Sequence, residues 1–490
     1  MNPQYKAVIG LEIHAQLASR SKIYCADAVD FGGHPNTRVS PVSLGLPGTL
    51  PTLNETCVHL AIKMGLATGC GIAPSCHFAR KNYFYPDLPK GYQISQDKTP
   101  ICTDGHLEVR LKDGSHRIGI QRIHMEEDAG KSIHDQDPFD TLIDLNRASV
   151  GLIEIVSHPD MDNAEQAMAY LTEIRKIVRY LGICDGNMEE GSLRCDANVS
   201  VMPAHLPRTM ENFGTRAEIK NMNSISNVGR AINYEIDRQI KLIEAGGKVA
   251  RETRTWDAAT GQTLPMRDKE SADDYRYFPE PDLQPLLVTE DLKNRLRAEM
   301  PPLPEQLFRQ FTQEHGLPVH DATLLTEDRE FAEYYTELAK ASSNYKAASN
   351  WMNGSVKTWM NEQAEPIHAF PIAAATLAQV IKLVDGGQVS ITMAKEKLFP
   401  VLLQEPKGAN AADVAKRENL LLQNDTALIE KVIADVLAKN PAEVQNFLGG
   451  KTGLMGFFVG QVMKGTGGKA DPKLINQLLK TALDQQAAKA

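Results

Sequence analysis

The chain has no CxxC pair, no apolar run of membrane-spanning length, no excess of positive charge and few aromatic residues. Its seven cysteines, Cys25, Cys57, Cys70, Cys76, Cys102, Cys184 and Cys195, are odd in number within 490 residues. That argues against a disulfide framework and leaves buried, inert thiols as the expectation. Apolar runs fall short of the roughly 18–20 residues that cross a bilayer. The opening string MNPQYKAVIGLEIHAQL reads as a strand rather than a secretory leader, so a soluble, cytoplasmic protein is expected. Net charge is −9 and the pI is about 5.9. Bulk electrostatics therefore give no nucleic-acid footprint, and any RNA contact must come from local patches. Nucleotide motifs are also missing. The string GGKTG at 449–453 has Gln445 where a P-loop needs its first glycine, and no GxGxxG follows a strand. No GxSxG elbow occurs either.

What is there suffices for sizeable cores: 42% of residues are hydrophobic, and the length suggests about three domains. Residues 1–295 read as mixed α/β. Alternating segments at 6–17, 106–128 (with Asp113-Gly114 as a hairpin turn), 193–202 and 216–222 predict strands. Two helices interrupt them. One is capped by Asn163, with Gln166 in the capping-box position, and stops at Gly182; the other runs from about Ser226 to Gly246-Gly247. Pro-rich strings at 279–286 and 300–306 mark a boundary, after which the strand pattern stops. Segments 328–340, 343–360, 374–387 and 390–404 read as helices, and 408–413 as another break before a helical tail. The expected organisation is α+β: a mixed or antiparallel sheet domain with packed helices over 1–295, an all-α domain over 296–408, and a helical tail over 409–490.

The candidate chemistry lies in strands with one polar face, because side chains alternate across a strand. Glu12, His14 and Gln16 share one side of the first strand. Arg194, Asp196, Asn198 and Ser200 share one side of 193–202. Arg216, Glu218 and Lys220 alternate with Ala217 and Ile219, and Arg122, His124, Glu126 and Asp128 alternate with Ile123, Met125 and Glu127. An antiparallel sheet with one face in water gives the same alternation. Mixed Glu, Asp and His donors are also what a hard divalent cation takes. A second signal is the Pro-braced aromatic string RKNYFYPDLPKGYQISQ (80–96), with a similar string at 273–286. Such loops stack on bases or line polar channels, or simply pack on a core.

At these residues the chain resembles a known family. GLEIHAQL (10–17), FGGHPNTRVSPVSLGLPGTLPTLN (31–54), RKNYFYPDLPKGYQISQ (80–96), RIHMEEDAGKS (122–132), IDLNRASVGLIEIVSHPD (143–160), MEEGSLRCDANVS (188–200), AEIKNMNS (217–224) and DDYRYFPEPDL (273–283) resemble the B subunit of the aspartyl/glutamyl-tRNA(Asn/Gln) amidotransferases (GatCAB), of the GatB/GatE family. The string VGQVMKGTGGKADPKLINQLL (459–479) resembles that family's YqeY-type tRNA-binding tail. The resemblance implies a catalytic cradle over 1–295 that amidates Asp-tRNA(Asn) or Glu-tRNA(Gln). ATP and Mg²⁺ phosphorylate the side-chain carboxylate, and ammonia from the amidase, the A subunit, displaces the phosphate. The small C subunit joins the two. A non-catalytic tRNA-binding or assembly role in the same complex is the alternative.

It further implies Glu12, His14, Glu127 and Glu218 as metal ligands, with Glu126 the alternate to Glu127. Lys81, Asp196 and Glu126 are implied in catalysis, and Tyr83, Tyr85, Arg194, Lys220, Arg276, Lys464 and Lys469 in tRNA or substrate binding. Many members carry a zinc knuckle with a CxC and a CxxC. Here Cys25-Ala26-Asp27 and Ser40-Pro41-Val42-Ser43 stand in their places. A structural zinc needs about four good ligands, so no zinc is expected.

Overall fold

The structure is a computed structural model describing residues 3–134, 136–266, 275–422, 426–466 and 470–487. The chain divides into two compact units, residues 1–304 and 305–490.

The first unit is built on a nine-stranded sheet. In chain order its strands are β1 (Tyr5–Gln16), β2 (Gly71–Ile72), β3 (Cys102–Leu111), β4 (Gly114–Glu127), β5 (Gly151–Ser157), β6 (Leu193–Pro203), β7 (Ala217–Lys220), β8 (Thr253–Asp257) and β9 (Gln262–Pro265). Their spatial order is β9-β8-β7-β6-β1-β5-β4-β3-β2. Neighbours are antiparallel except β7 and β8. The odd-numbered side chains of β1, from Ala7 to Ala15, are buried in one apolar core. Three helices cover that face: α1 (Glu55–Ala67), α2 (Ala164–Tyr180) and α3 (Ile225–Glu244).

The cap legible at Asn163 is present, its side chain accepting from the Gln166 N–H. Helix α3 starts one residue before the expected Ser226, capped by Ser224. Two elements were not legible as such. Helix α1 is capped by Asn54, and β5 is almost wholly buried, so neither shows a clear polar alternation.

The string at 80–96 is a hairpin, Ala79–Asn82 against Tyr92–Ser95, joined at its edge by Phe278–Pro279. The two aromatic strings of the sequence thus form one small sheet. Arg80 clamps them: Nε and Nη2 donate to the Glu280 carboxylate at 2.7 and 2.9 Å, a bidentate geometry that fixes orientation as well as distance.

The second unit is helical among its described residues. Arg329–Ser342, capped by Asp328, packs on Ala374–Asp385, and Ala411–Arg417 packs on the same helix. The tail helices, Thr426–Lys439, Pro441–Leu448, Met455–Gly465 and Pro472–Ala487, close a core of their own around Ile433, Leu437, Phe458, Val462 and Leu479.

Candidate active site

The face of the sheet opposite α1–α3 carries a polar row. Cross-strand register places Glu12 opposite Asp196 and His14 opposite Arg194. It places His14 opposite Glu154 on the other side, Glu154 opposite His124, and Asn198 opposite Glu218. Directly opposed side chains lie close enough to interact, so the register sorts the row into two groups. One is Glu12, Asp196 and Glu218; the other is His14, Glu126 and Glu154. In each, the donor atoms lie within 4.8 Å of one another.

The two groups differ in charge balance. In the first, three carboxylates face the Lys220 ammonium among the described residues: it donates to Asp196 and lies 3.2 Å from Glu218. Thr253 also donates to Glu218, and Asn198 donates to Glu12 at 2.9 Å. Burial and the nearby Glu154, Glu218 and Asp196 charges still hold the Glu12 carboxyl above its ordinary range. The second group is better compensated. His14 Nε2 lies 3.3 Å from Glu154 and 3.7 Å from Glu126, and His124 Nε2 lies 3.4 Å from Glu154. Burial alone would raise Glu126, but His124 and Lys81 outweigh it and hold it low. Glu154 is held well below its ordinary value, burial being overcome by the two imidazoles.

Lys81 borders the second group. Burial opposes its charge, yet Glu126 and Glu154 raise its pKa. Its ammonium lies 5.1 Å from the Tyr275 ring centroid and 5.8 Å from that of Tyr83. Among the described residues no hydrogen-bond acceptor or carboxylate within ion-pair distance engages it. Tyr83 donates to Gln93 and meets Tyr85 and Tyr275 edge-on, while Tyr85 is exposed. Arg194 is anchored by one nitrogen on buried Asp128, at 2.9 Å, and Gln16 donates to the same carboxylate. Arg276 is exposed, with its carbonyl accepting from Asn82.

The structure brings Glu12, Asp196, Glu218 and Lys220 together, and His14, Glu126 and Lys81 beside them. It does not bring Glu127 to either group. The β4–β5 register is regular from Glu127 to Arg122, and its shift falls beyond, at Val156/Ser157. Strict alternation therefore turns Glu127 to the far side, where its carboxylate accepts from Lys90, the Ile94 N–H and Ser149. Two groups in the row were not singled out from the sequence as site residues, Glu154 and His124. The signal for Glu154 was one carboxylate inside the apolar run Gly151-Leu-Ile-Glu-Ile-Val. In the tail, Lys464 is exposed and Lys469 lies outside the described residues.

The residues in place of a CxC and CxxC form a hydrogen-bonded cluster. The Lys22 side chain, wholly buried, donates to the Arg38 carbonyl at 2.7 Å and lies 3.8 Å from Asp27. Asp27 accepts from the Ser40 N–H and Ser43 Oγ, and Cys25 Sγ lies 3.3 Å from it.

A sheet with helices on one face, and with a carboxylate group, a carboxylate–imidazole group and an unengaged lysine on the other, has the features of a candidate site for reactions on charged groups. Comparison with known proteins specifies it. Residues 7–294 match the GatB/GatE catalytic domain and residues 333–483 the GatB domain, and the chain belongs to the GatB/GatE family. It is 50% identical over 483 residues to the B subunit of the aspartyl/glutamyl-tRNA(Asn/Gln) amidotransferase of Syntrophotalea carbinolica, covering 99% of both chains. It is 51% identical over 480 residues to the protein of the same name from Trichlorobacter lovleyi, covering 98% of this chain and 99% of that one. To that of Synechococcus sp. (strain JA-2-3B'a(2-13)) it is 49% identical over 487 residues, 98% of each. Among the described residues no helix is long and apolar enough to cross a membrane.

Proposed function

We propose that this chain is the amidating component of a glutamine-dependent, tRNA-dependent amidotransferase. It works in the cytoplasm with the amidase A subunit and the small C subunit. It converts Asp-tRNA(Asn), Glu-tRNA(Gln) or both to the amides. The side-chain carboxylate attacks the γ-phosphorus of ATP and ADP leaves. Ammonia then attacks the acyl carbon, the C–O bond to phosphate breaks, and the nitrogen sheds a proton. The observation carrying this reading is Lys81: a cation without a bonded acceptor among the described residues, bordering the metal-type donor group of His14, Glu126 and Glu154.

The residues fit a divalent cation. Glu12, whose carboxyl the neighbouring carboxylates push up, stands with Asp196 and Glu218 in a set of three oxygen donors, which suits Mg²⁺. His14, Glu126 and Glu154 are a second candidate set. A bound Mg²⁺ would neutralise phosphate charge there. Lys81 meets the charge that develops on the transferring phosphoryl and on the acyl oxygen. Tyr83 and Tyr275 flank its ammonium with their rings. Arg194, fixed by Asp128, presents its remaining N–H groups to the substrate carboxylate. Glu126 accepts the proton the attacking ammonia releases. The cluster around Lys22 needs no zinc, because the ammonium already compensates Asp27.

The test is turnover of the reconstituted heterotrimer with mischarged tRNA, glutamine, ATP and Mg²⁺. Equimolar ADP and amidated aminoacyl-tRNA are expected. Lys81→Ala should lower kcat about 10²–10³-fold with tRNA binding retained. A complex that binds mischarged tRNA but makes no amide would leave this chain an assembly component.

A further inference from the structure

Where Phe278–Pro279 joins the hairpin of Ala79–Asn82 and Tyr92–Ser95, a cavity of about 240 Å³ lies against the small sheet. It is smaller than the roughly 300–1,000 Å³ clefts that take a whole cofactor, so it suits one ring system and not a nucleoside triphosphate. Tyr277 and Phe278 line it. Phe278 is 43% exposed although it is paired in a strand. Arg80 backs its ring, with the guanidinium carbon over it at 5.7 Å from the centroid. Arg80 is itself clamped on Glu280. The Phe278 ring is therefore a held platform, and no second ring stacks on it among the described residues.

The rim of the cavity is polar and fixed. The Thr99 hydroxyl accepts from the His77 N–H at 2.9 Å and donates to the His77 carbonyl at 3.3 Å. That pins the segment after Tyr92–Ser95 to the one before Ala79–Asn82. Asp97 and Lys98, beside Thr99, make no side-chain hydrogen bond or ion pair among the described residues. Tyr277 links the cavity to the cradle. Burial pushes the pKa of its hydroxyl up, the Lys81 ammonium pulls it down, and Asp97 adds to the rise, so both charges stand near it. Its ring meets that of Tyr275 at 6.1 Å, and the Lys81 ammonium lies 5.1 Å from the Tyr275 centroid. An aminoacyl ester is short: about 6 Å separate the ribose oxygen from the side-chain carboxylate of a glutamyl group at ordinary bond lengths. The nucleoside that carries it must bind close to Lys81.

We propose that this cavity receives the 3′-terminal adenosine of the mischarged tRNA. The base stacks on the open face of Phe278, Asp97 accepts a hydrogen bond from the ribose 2′-hydroxyl, and Lys98 meets the preceding phosphodiester. The aminoacyl group, on the 3′ oxygen, passes Tyr277 to Lys81. This rests on the tRNA-dependent reading above and gives it a subsite for the 3′ end. An aminoacyl-tRNA carries its amino acid on an unpaired terminal adenosine, whose base is open to stacking. Aromatic platforms hold such single-stranded ends, and contacts to the 2′-hydroxyl tell RNA from DNA. A carboxylate beside a polyanion is unfavourable unless it accepts from a donor, and the 2′-hydroxyl is the donor this end of the RNA offers. Lys98, next to it, offsets the charge.

The experiment measures kcat/KM for mischarged tRNA, and KM for ATP, in the whole heterotrimer. Phe278→Ala should lower kcat/KM for tRNA roughly 5- to 150-fold, the range of one lost base stack, and leave KM for ATP unchanged. Phe278→Tyr, which keeps a ring there, should stay near wild type. The second probe is mischarged tRNA ending in 2′-deoxyadenosine, charged on its 3′ oxygen. The wild-type complex should use it several-fold less well than the natural end. Asp97→Ala should lose that factor on the natural end and nothing further on the deoxy end. Asp97 lies at the rim, so its variant reports even if Phe278→Ala fails to assemble. An assembled Phe278→Ala complex with wild-type kcat/KM overturns the subsite alone. So does a wild-type complex indifferent to the 2′-hydroxyl, or an Asp97→Ala complex that still tells the two ends apart. A wild-type complex that binds mischarged tRNA but makes no amide overturns the functional reading and the subsite with it.

Discussion

Glu126 and Glu127 are neighbours in sequence with opposite environments. Glu126 lies among His14, His124 and Lys81, in the row. Glu127 accepts from Lys90, Ile94 and Ser149 on the other side, and both it and the Lys90 side chain are nearly inaccessible to solvent. Removing one member of a buried ion pair leaves the other uncompensated, at a cost of about 3–5 kcal/mol. Glu127→Gln is therefore expected to lower the unfolding free energy by that order in denaturant titration, with any loss of turnover following the loss of folded protein. Glu126→Gln also takes a buried carboxylate from His124 and should cost stability too, but it should suppress amide formation even in the protein that remains folded. If Glu127→Gln were fully stable yet inactive, Glu127 would have to work at the reacting centre, as the family resemblance alone suggested.

That pair also shows how much of the site could be read from sequence. Period-two alternation placed Glu12, His14 and Gln16 on one side and Glu126 with His124, and the sheet has that arrangement. The grouping itself depends on strand order: β1 lies between β5 and β6, partners more than a hundred residues away, and no local pattern encodes which strand pairs with which. Glu154 was hidden for a related reason. Its strand is buried on both faces, so the alternation that marks a half-exposed strand is missing. Helix α1 escaped because its apolar residues run nearly all round it, with Cys57, Val58, Leu60, Ala61, Ile62 and Met64 buried.

At the scale of an element, the segment from Lys22 to Ser43 is held by hydrogen bonds where a metal would hold it in a knuckle. Burial alone would raise the Asp27 pKa, but donors on Ser43, Cys25 and Ser40 lower it below its ordinary value. A carboxyl depressed on folding contributes stability that is complete above its unfolded pKa, near 4, and lost as pH falls through the folded value. Asp27→Asn should thus cost about 1.5–3 kcal/mol, typical of hydrogen bonds to a charged group, at pH 7. The gap to wild type should close below about pH 4. Chelation should leave both proteins unchanged; a chelator-dependent melting temperature would mean that a metal, not Lys22, compensates Asp27.

For the whole molecule, net charge of −9 works against long-range attraction of a polyanion, so the tRNA must be held by local cations. Under the function proposed above, the tail is a candidate for that. Its helices close a separate core, from Ile429 to Leu483, and Lys451, Lys464 and Lys473 are exposed on them or in their turns. The helix Ala411–Arg417 packs on Ala374–Asp385 instead, so a deletion that respects packing begins near residue 426 rather than 409. Removing residues 426–490 is expected to raise KM for mischarged tRNA at least tenfold and to leave kcat at saturating tRNA nearly unchanged, since the carboxylate row stays whole. For every phosphate the tail neutralises, its removal should also reduce the slope of log affinity against log salt by about one. Replacing the three lysines by alanine should reproduce part of that slope change without unfolding the tail. Unchanged affinity and salt dependence in both variants would place the tRNA-binding cations elsewhere, on the first unit or on the partner proteins.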